Sequence, residues 1–393
     1  MITLIEALNY RCLRYISQPL GPFHVLVGPN ASGKTTFLDV VAFLGRLVSD
    51  GVDAAITERT RDIHDLFWRR EGMRFELAVE AQAPESREHW KDPKVATVRY
   101  EIVLGIDPQS QRQKLLSERV LLKIPTVSRP HQREHFPDIF EVPKTLAIPE
   151  NRPNVRSVIP SGLVPLGHSV LWNIDGAEYP ASTWLRKLLA SGVQQLVLNS
   201  LSIRRPSSPG QGFGFKPDGS NLPWVLERLR ERWPERFRQW ISHLRTAFPD
   251  LEDIKTIERP EDRHRYLVLQ YTGGLEVPSW MASDGTLRML ALTLPAYLED
   301  FNGIYLIEEP ENGIHPRAIE TMTQSLSSVY NAQVLLATHS PVILSTVEAE
   351  QVLCFSKNSE GATDIARGSE HPALQSWKHE TTLGTLFAAG VLG

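Results

Sequence analysis

Apolar positions near the start of the chain fall into two short runs, 2–8 and Phe23–Val27, and both predict strands. The second run enters a turn rich in Gly, Asn and Ser, after which 37–48 repeats apolar residues at helical spacing. A polar, arginine-rich turn at 59–70 is followed by three further predicted strands at 74–81, 95–105 and 114–124. Phe75, Leu77 and Val79 alternate with polar neighbours, and so do Val98, Tyr100, Ile102 and Leu104, which is the pattern of an antiparallel meander.

The stretch from about 125 to 222 reads differently. Sixteen of the 28 prolines lie between positions 81 and 223, which excludes a long coiled coil there, because each proline removes a helix hydrogen bond. Residues 207–220 form a Gly/Pro/Ser loop. From 224 to 248 the pattern turns helical, with Leu226, Leu229, Trp233, Phe237, Trp240, Leu244 and Phe248 three or four apart and Pro234 interrupting. Arg228, Arg230, Arg232, Arg236, Arg238 and Arg245 lie on the other faces. They allow either phosphate contacts or a solvated flank beside a buried aromatic stripe. The last third returns to α/β character: a helix from Gly285, a strand at 303–307, a helix at 316–329 and a strand at Gln333–Ala337.

Composition narrows the class without identifying it. Apolar residues make up 41% and charged residues 22%, ordinary for a soluble globular protein. A net charge of −4 gives no whole-chain attraction to nucleic acid or an anionic membrane, so such a contact needs a local patch. Cys12 and Cys354 form neither a CxxC nor a Cys/His cluster, so no disulfide framework or zinc site is expected and a reducing cytoplasm fits. No apolar run approaches 18 residues, and the first ten residues carry Glu6 without a basic lead-in. Neither a membrane span nor an export signal is expected.

Four segments carry chemistry. Gly28-Pro29-Asn30-Ala31-Ser32-Gly33-Lys34-Thr35, followed by Thr36, fits G-x-x-x-x-G-K-[ST] at every fixed position, between a strand and a helix. Loop N–H groups must turn inward on phosphate, the glycines permit close approach, and the helix directs its positive end at the same anion. Lys34 would reach the β/γ-phosphates and the Thr35 hydroxyl would ligate Mg²⁺. In GIYLIEEPENGIHP an apolar strand ends in Glu308, placed to hold Mg²⁺, and Glu309, placed to polarise the attacking water. In LLATHSP a buried-type strand delivers His339 at its carboxyl end, where ligands bind in open α/β sheets. In WMASDGTLRML, Ser283 or Asp284 caps a helix and Gly285 permits close backbone approach.

Taken in this order, the four segments resemble the ABC-type ATPases of the SMC, RecF and OLD-like group, and are most similar to the stand-alone AAA-type bacterial ATP-binding proteins. In that family GPNASGKT would be Walker A, LIEEP Walker B, ASDGTLR the signature, PENGIHP the D-loop and ATHSP the histidine switch; the ending LGTLFAAGVLG also fits. The resemblance implies an α/β, ABC-type P-loop NTPase head with an antiparallel β subdomain and a mixed, partly helical inserted region. The implied layout is an ATPase lobe at 1–124, the inserted region at 125–270 and a second ATPase lobe at 271–393. It further implies a homodimer or higher oligomer sandwiching ATP and Mg²⁺, with Ser283 and Gly285 of one copy on the γ-phosphate held by Lys34 of the other. Glu309, His339 and Lys34 would be the catalytic residues, Thr35 and Glu308 the metal ligands, and Glu311, Asn312 and Gly313 would run along the dimer seam.

Three positions depart from the family pattern. Glu308 stands where Walker B usually has Asp, the signature reads Ser-Asp-Gly, and Gln82 is the only glutamine in the region where a Q-loop is sought. A transporter subunit is disfavoured by the roughly 250 residues between Lys34 and Ser283, and a long-armed SMC protein by missing heptads. About fifty residues follow His339, too few for a TOPRIM nuclease domain. The expectation is therefore an ATPase of a bacterial DNA-metabolism or anti-phage system, acting with DNA and a separately encoded nuclease effector. The alternatives are a nucleotide-gated scaffold with negligible turnover and a RecF-like DNA repair ATPase.

Overall fold

The computed structural model describes residues 1–87, 90–125, 143–148, 154–158, 167–212, 214–371 and 382–390. Much of the proline-rich stretch after 125 and the last residues of the family-like ending, 391–393, lie outside the described residues. The chain divides into two units, Met1–Gly21 with Gly28–Val193 and Phe355–Ala366, and Pro22–Val27 with Gln194–Cys354 and Arg367–Gly393.

The first unit contains β1 (Ile2–Tyr10) and β2 (Leu13–Pro19); the next strand, β3 (Phe23–Val27), belongs to the second unit. Then follow α1 (Lys34–Asp50), α2 (Val52–Thr57), β4 (Arg74–Gln82), β5 (Thr97–Ile106), β6 (Gln113–Lys123), β7 (Val155–Val158) and α3 (Pro180–Ala190). The predicted meander is present as β4, β5 and β6, and β1 and β2 on one side and β7 on the other extend it into a six-stranded sheet ordered β2-β1-β4-β5-β6-β7. An aromatic cluster joins this sheet to α1, with the Phe43 ring 5.9 Å from Tyr10 and 5.6 Å from Phe75. The other sheet face is charged. Arg99, almost wholly buried, pairs with Glu6 (2.5 Å), Glu80 (3.0 Å) and Glu101 (2.6 Å), and it donates to the Leu146 carbonyl. Leu146 itself packs with Leu8 and Ala78.

The second unit runs through β8 (Val193–Leu196), α4 (Ser200–Arg204), α5 (Leu222–Arg232), α6 (Pro234–Ala247), β9 (Leu251–Glu258), β10 (Arg265–Tyr271) and β11 (Leu275–Pro278). It continues with α7 (Asp284–Thr293), β12 (Ile304–Glu308), α8 (Pro316–Ser327), β13 (Gln333–Ala337), α9 (Pro341–Leu344) and β14 (Val352–Lys357). Of β14 only Val352–Cys354 belong to this unit; Phe355–Lys357 and most of β15 (Thr363–Arg367) belong to the first. Strands β14, β3, β13, β12 and β8 stand side by side in that order, and the first four pair in parallel. Their runs of Val, Leu and Ile are buried without alternation, as a sheet covered on both faces requires.

The helical pattern at 224–248 is two helices, because Pro234 starts a new one at its first position, where a missing N–H costs nothing. Leu226, Leu229, Phe237, Trp240 and Leu244 enter the core of this unit with Leu251, Ile254 and Leu267. The arginines beside them are engaged: Arg228 with Asp300, Arg230 with Asp253, Arg236 with Glu299, Arg238 with Glu235, and Arg245 with the Leu251 and Glu252 carbonyls. The buried aromatic stripe with a solvated flank is thus what the sequence forms here, not an open comb of free guanidinium groups. Among the described residues no helix is long and apolar enough to cross a membrane.

Candidate functional site

In the first unit, the chain from Gly28 to Lys34 forms a tight loop before α1. Gly28 (φ 145), Ala31 (φ 62) and Gly33 (φ 109) all occupy the left-handed half of conformational space. Two of these positions must be glycine for space as well. A Cβ on Gly28 would lie 2.1 Å from the Phe355 carbonyl oxygen, and one on Gly33 would lie 2.2 Å from Thr363 Oγ1. That hydroxyl donates to the Ser32 carbonyl at 2.8 Å, so β15 buttresses the loop from outside. Lys34 is buried and its Nζ donates to the carbonyls of Gly28 (2.8 Å) and Pro29 (3.0 Å), curling over the loop's own concavity. Ser32 Oγ is buried with no hydrogen-bond partner among the described residues. A cationic side chain over a glycine cradle with an unspent hydroxyl fits a polyphosphate anion. The exposed Thr35 and half-buried Thr36 follow at the helix start.

In the second unit, three parallel strands end at one edge of the sheet. Leu26 is paired with Ala337, and Ala337 with Glu308. The chain therefore enters the glycine loop (through Val27), the acid pair (through Glu308) and Thr338-His339 (through Ala337) from adjacent strand tips, at the edge where open α/β sheets bind ligands. Glu309 leaves its strand at φ 45, a conformation costly for a residue with a side chain, and its N–H donates to the Ala337 carbonyl at 2.8 Å. The half-buried Glu308 and the exposed Glu309 are hard oxygen donors, as Mg²⁺ prefers.

The turn after Glu309 holds both neighbours. Asn312 Nδ2 donates to Glu309 Oε2 at 2.6 Å. Glu311 Oε1 accepts from Thr338 Oγ1 at 2.5 Å and from the His339 N–H at 3.1 Å. On its far side the turn meets the start of α7, where a Cβ on Gly285 would lie 2.5 Å from the Gly313 carbonyl oxygen. Ser283 caps that helix, its hydroxyl accepting from the Thr286 N–H at 3.1 Å, and Arg204 anchors it through Asp284 (2.6 Å) and the Ala282 carbonyl (2.7 Å). Within this unit Glu308, Glu309, His339 and the Ser283–Gly285 segment are thus joined through one turn.

The resemblance singled out Glu311 and Asn312 only as residues of a dimer seam; that they hold the histidine loop and Glu309 within one chain carried no sequence signal. Thr363 buttresses Ser32 from 331 residues away, with no sequence signal at all. Asp39, one helical turn past Lys34, accepts from Tyr10 Oη (2.5 Å) and pairs with Arg11 (3.3 Å) and Arg59 (2.7 Å), tying α1 to β1 and to the arginine-rich turn.

A family model described as "AAA domain, putative AbiEii toxin, Type IV TA system" matches residues 23–89 and 216–345, together half of the chain. A protein named "Retron Vc95 probable ATPase", from Vibrio cholerae serotype O1 biovar El Tor, is 26% identical over 193 residues, 40% of this chain and 37% of that protein. An "OLD nuclease" from Thermus scotoductus is 46% identical over 41 residues, 10% of this chain and 8% of its own. The matches therefore span well under half the length of these relatives. Among solved structures, an Smc head bound to the C-winged helix domain of ScpA is similar over 93% of this chain and 97% of its own, with TM-score 0.58 and 13% identity. An Smc head with an extended coiled coil, bound to the C-terminal domain of ScpA derived from Pyrococcus furiosus, gives TM-score 0.52 at 12% identity over 93% and 95%. At such identities the likeness speaks for the fold.

Proposed function

The chain belongs to this AAA-domain family and has the α/β fold of an ABC-type ATPase head, and we propose that it binds Mg-ATP and hydrolyses it between two copies of itself. The observation that carries this reading is the strand register Leu26–Ala337–Glu308, which brings the origins of the glycine loop, the acid pair and the histidine loop to neighbouring strand tips.

Each residue then has a role set by its chemistry. Lys34 and the loop N–H groups neutralise the β/γ-phosphates. Glu309 accepts a proton from, or orients, the attacking water, and His339 hydrogen-bonds the γ-phosphate. Bound Mg²⁺, held by Thr35 and Glu308, would supply further positive charge against the phosphates. Ser283 and Gly285 of the second copy, at the positive end of α7, would meet the γ-phosphate and complete the site. Binding then closes the pair and hydrolysis releases it.

The retron ATPase and OLD nuclease relatives support a place in a bacterial DNA-linked or anti-phage system, in which a separately encoded nuclease acts as effector. The test is phosphate release by the purified chain, beside Lys34→Ala and Glu309→Gln, with light scattering to follow ATP-dependent pairing. Turnover in the wild type that both substitutions abolish, with pairing retained in Glu309→Gln, is expected; a chain indifferent to ATP refutes the reading. Co-purification with the neighbouring gene product and ATP-dependent nicking test the effector. Glu308, one methylene longer than Asp, favours a second reading, a nucleotide-gated scaffold. Equal, near-zero rates for wild type and Glu309→Gln, with ATP-dependent pairing, would select it.

A further inference from the structure

Glu311 is the one acid in this turn with no role in the scheme above, yet, though the residue is half-buried, its carboxylate is bound into the fold. Its Oε1 takes two donors from the histidine loop, the Thr338 hydroxyl and the His339 backbone N–H. Thr338 is fully buried and its Oγ1 in turn accepts from the Ser340 N–H at 2.9 Å, so the loop from 338 to 340 is wrapped around one carboxylate. The other oxygen, Oε2, is buried and has no hydrogen-bond partner among the described residues. A carboxylate enclosed in this way is costly unless a positive charge stands near it.

Arg288 supplies that charge. It sits one turn into α7, half-buried, with its Cδ 3.9 Å from where a Cβ on Gly313 would lie. Burial pulls its proton affinity down, and the negative charges of Asp284 and Glu311 offset only part of this. Its Nε also lacks a partner among the described residues.

We propose that Glu311 is a positioning residue for the ATPase reaction: its carboxylate fixes the backbone of Thr338-His339, and with it the imidazole, against the turn that also carries Glu309 and abuts α7. This rests on the ATPase reading of the site. The effect is geometric, because displacing a reacting or stabilising group by about 1 Å costs on the order of 100-fold in rate. Since Gly313 of the same turn touches Gly285, a shift of α7 reaches His339 through Glu311. The helix that would meet one nucleotide is thereby linked to the imidazole that would serve the other.

The experiment compares Glu311→Ala with wild type, with Glu311→Gln, which keeps an Oε1 acceptor, and with His339→Ala alone and combined with Glu311→Ala. In Glu311→Ala, kcat is expected to fall roughly 10- to 100-fold, while the Kd for a fluorescent ATP analogue stays within about twofold. Glu311→Gln recovers most of that loss, and the double variant is no slower than His339→Ala alone, since both act through one imidazole. Amide exchange in the peptide spanning 336–344, followed by mass spectrometry without nucleotide, speeds up about tenfold or more in Glu311→Ala. Unchanged kcat in Glu311→Ala, or single effects that multiply in the double variant, overturns the proposal. If the wild type does not hydrolyse ATP, the ATPase reading fails on its own, and the exchange arm decides this one: unchanged protection in Glu311→Ala overturns it. Should Glu311→Ala not fold, Glu311→Met fills the same volume without an acceptor and is read by the same exchange measurement.

Discussion

Asn312 holds Glu309: its side-chain amide donates to Glu309 Oε2 at 2.6 Å, across a turn that Glu309 enters at φ 45. A carboxylate on an exposed strand tip would otherwise sample several rotamers. The contact favours one of them and leaves Oε1 free of this bond. Asn312→Ala is expected to lower kcat about tenfold or more with little change in nucleotide affinity, because it removes orientation and not charge. Asn312→Asp should be worse, since it sets a second carboxylate beside the first. Steady-state kinetics with independent Kd measurements decides it: a loss confined to Kd or KM would show that Asn312 does not serve Glu309.

Ser32 gives a prediction with two opposite signs. Its hydroxyl is buried with no hydrogen-bond partner among the described residues, and an unpaired buried polar group costs about 1–3 kcal/mol. Ser32→Ala should therefore leave the free protein as stable as wild type or slightly more stable. If the loop receives phosphate, the same substitution loses a hydrogen bond to a charged ligand and weakens ATP binding by about tenfold. Thermal unfolding with and without ATP measures both halves together. A variant that loses stability alone and keeps full ATP affinity would assign the hydroxyl to the loop's own structure.

How far such features could be read from the sequence depends on whether one element contains them. β3, β12 and β13 were legible because unbroken apolar runs end in marked residues, and the split at Pro234 followed from one side chain. β2 was not, since Leu13–Pro19 offers only Leu13 and Ile16 as buried apolar positions and owes its state to pairing with β1. The sheet of β9, β10 and β11 was missed for the same reason: apolar Ile257 and Leu275 stand exposed beside charged residues, so no clean alternation marks its faces, and its state comes from strand pairing. In the candidate site, the motif residues announced themselves. The contacts Asn312–Glu309, Glu311–Thr338 and Thr363–Ser32 are tertiary, and nothing in local pattern encodes them.

Arg99 tests the charged sheet face. It is the shared partner of Glu6, Glu80 and Glu101, and removing it would leave three enclosed carboxylates facing one another. Breaking a buried pair by deleting one partner costs about 3–5 kcal/mol. Arg99→Met should lower the urea midpoint accordingly, whereas Arg238→Ala, which removes an exposed pair with Glu235, should stay within about 0.5 kcal/mol of wild type. Similar midpoints for the two variants would mean that Lys123 and Arg119, which also reach Glu80 and Glu101, carry the face without Arg99.

His24 makes stability depend on pH from within the strand that launches the glycine loop. Its ring is buried and its Nδ1 lies 3.2 Å from the Gln351 carbonyl. Burial lowers its pKa below the ordinary 6.5; the Gln351 carbonyl offsets part of this, and the charge of Arg367 adds to it. The native state therefore keeps the ring neutral where the unfolded chain already binds a proton. With more protons on the unfolded side, stability rises with pH through this window, and it is lost as pH falls below about 6.5. The thermal midpoint of wild type should drop more between about pH 7.5 and pH 5.5 than that of His24→Gln, which cannot titrate there. Parallel pH profiles for the two proteins would show that His24 takes up its proton in the folded sheet as readily as in the unfolded chain, and the sign of the burial effect would then be wrong.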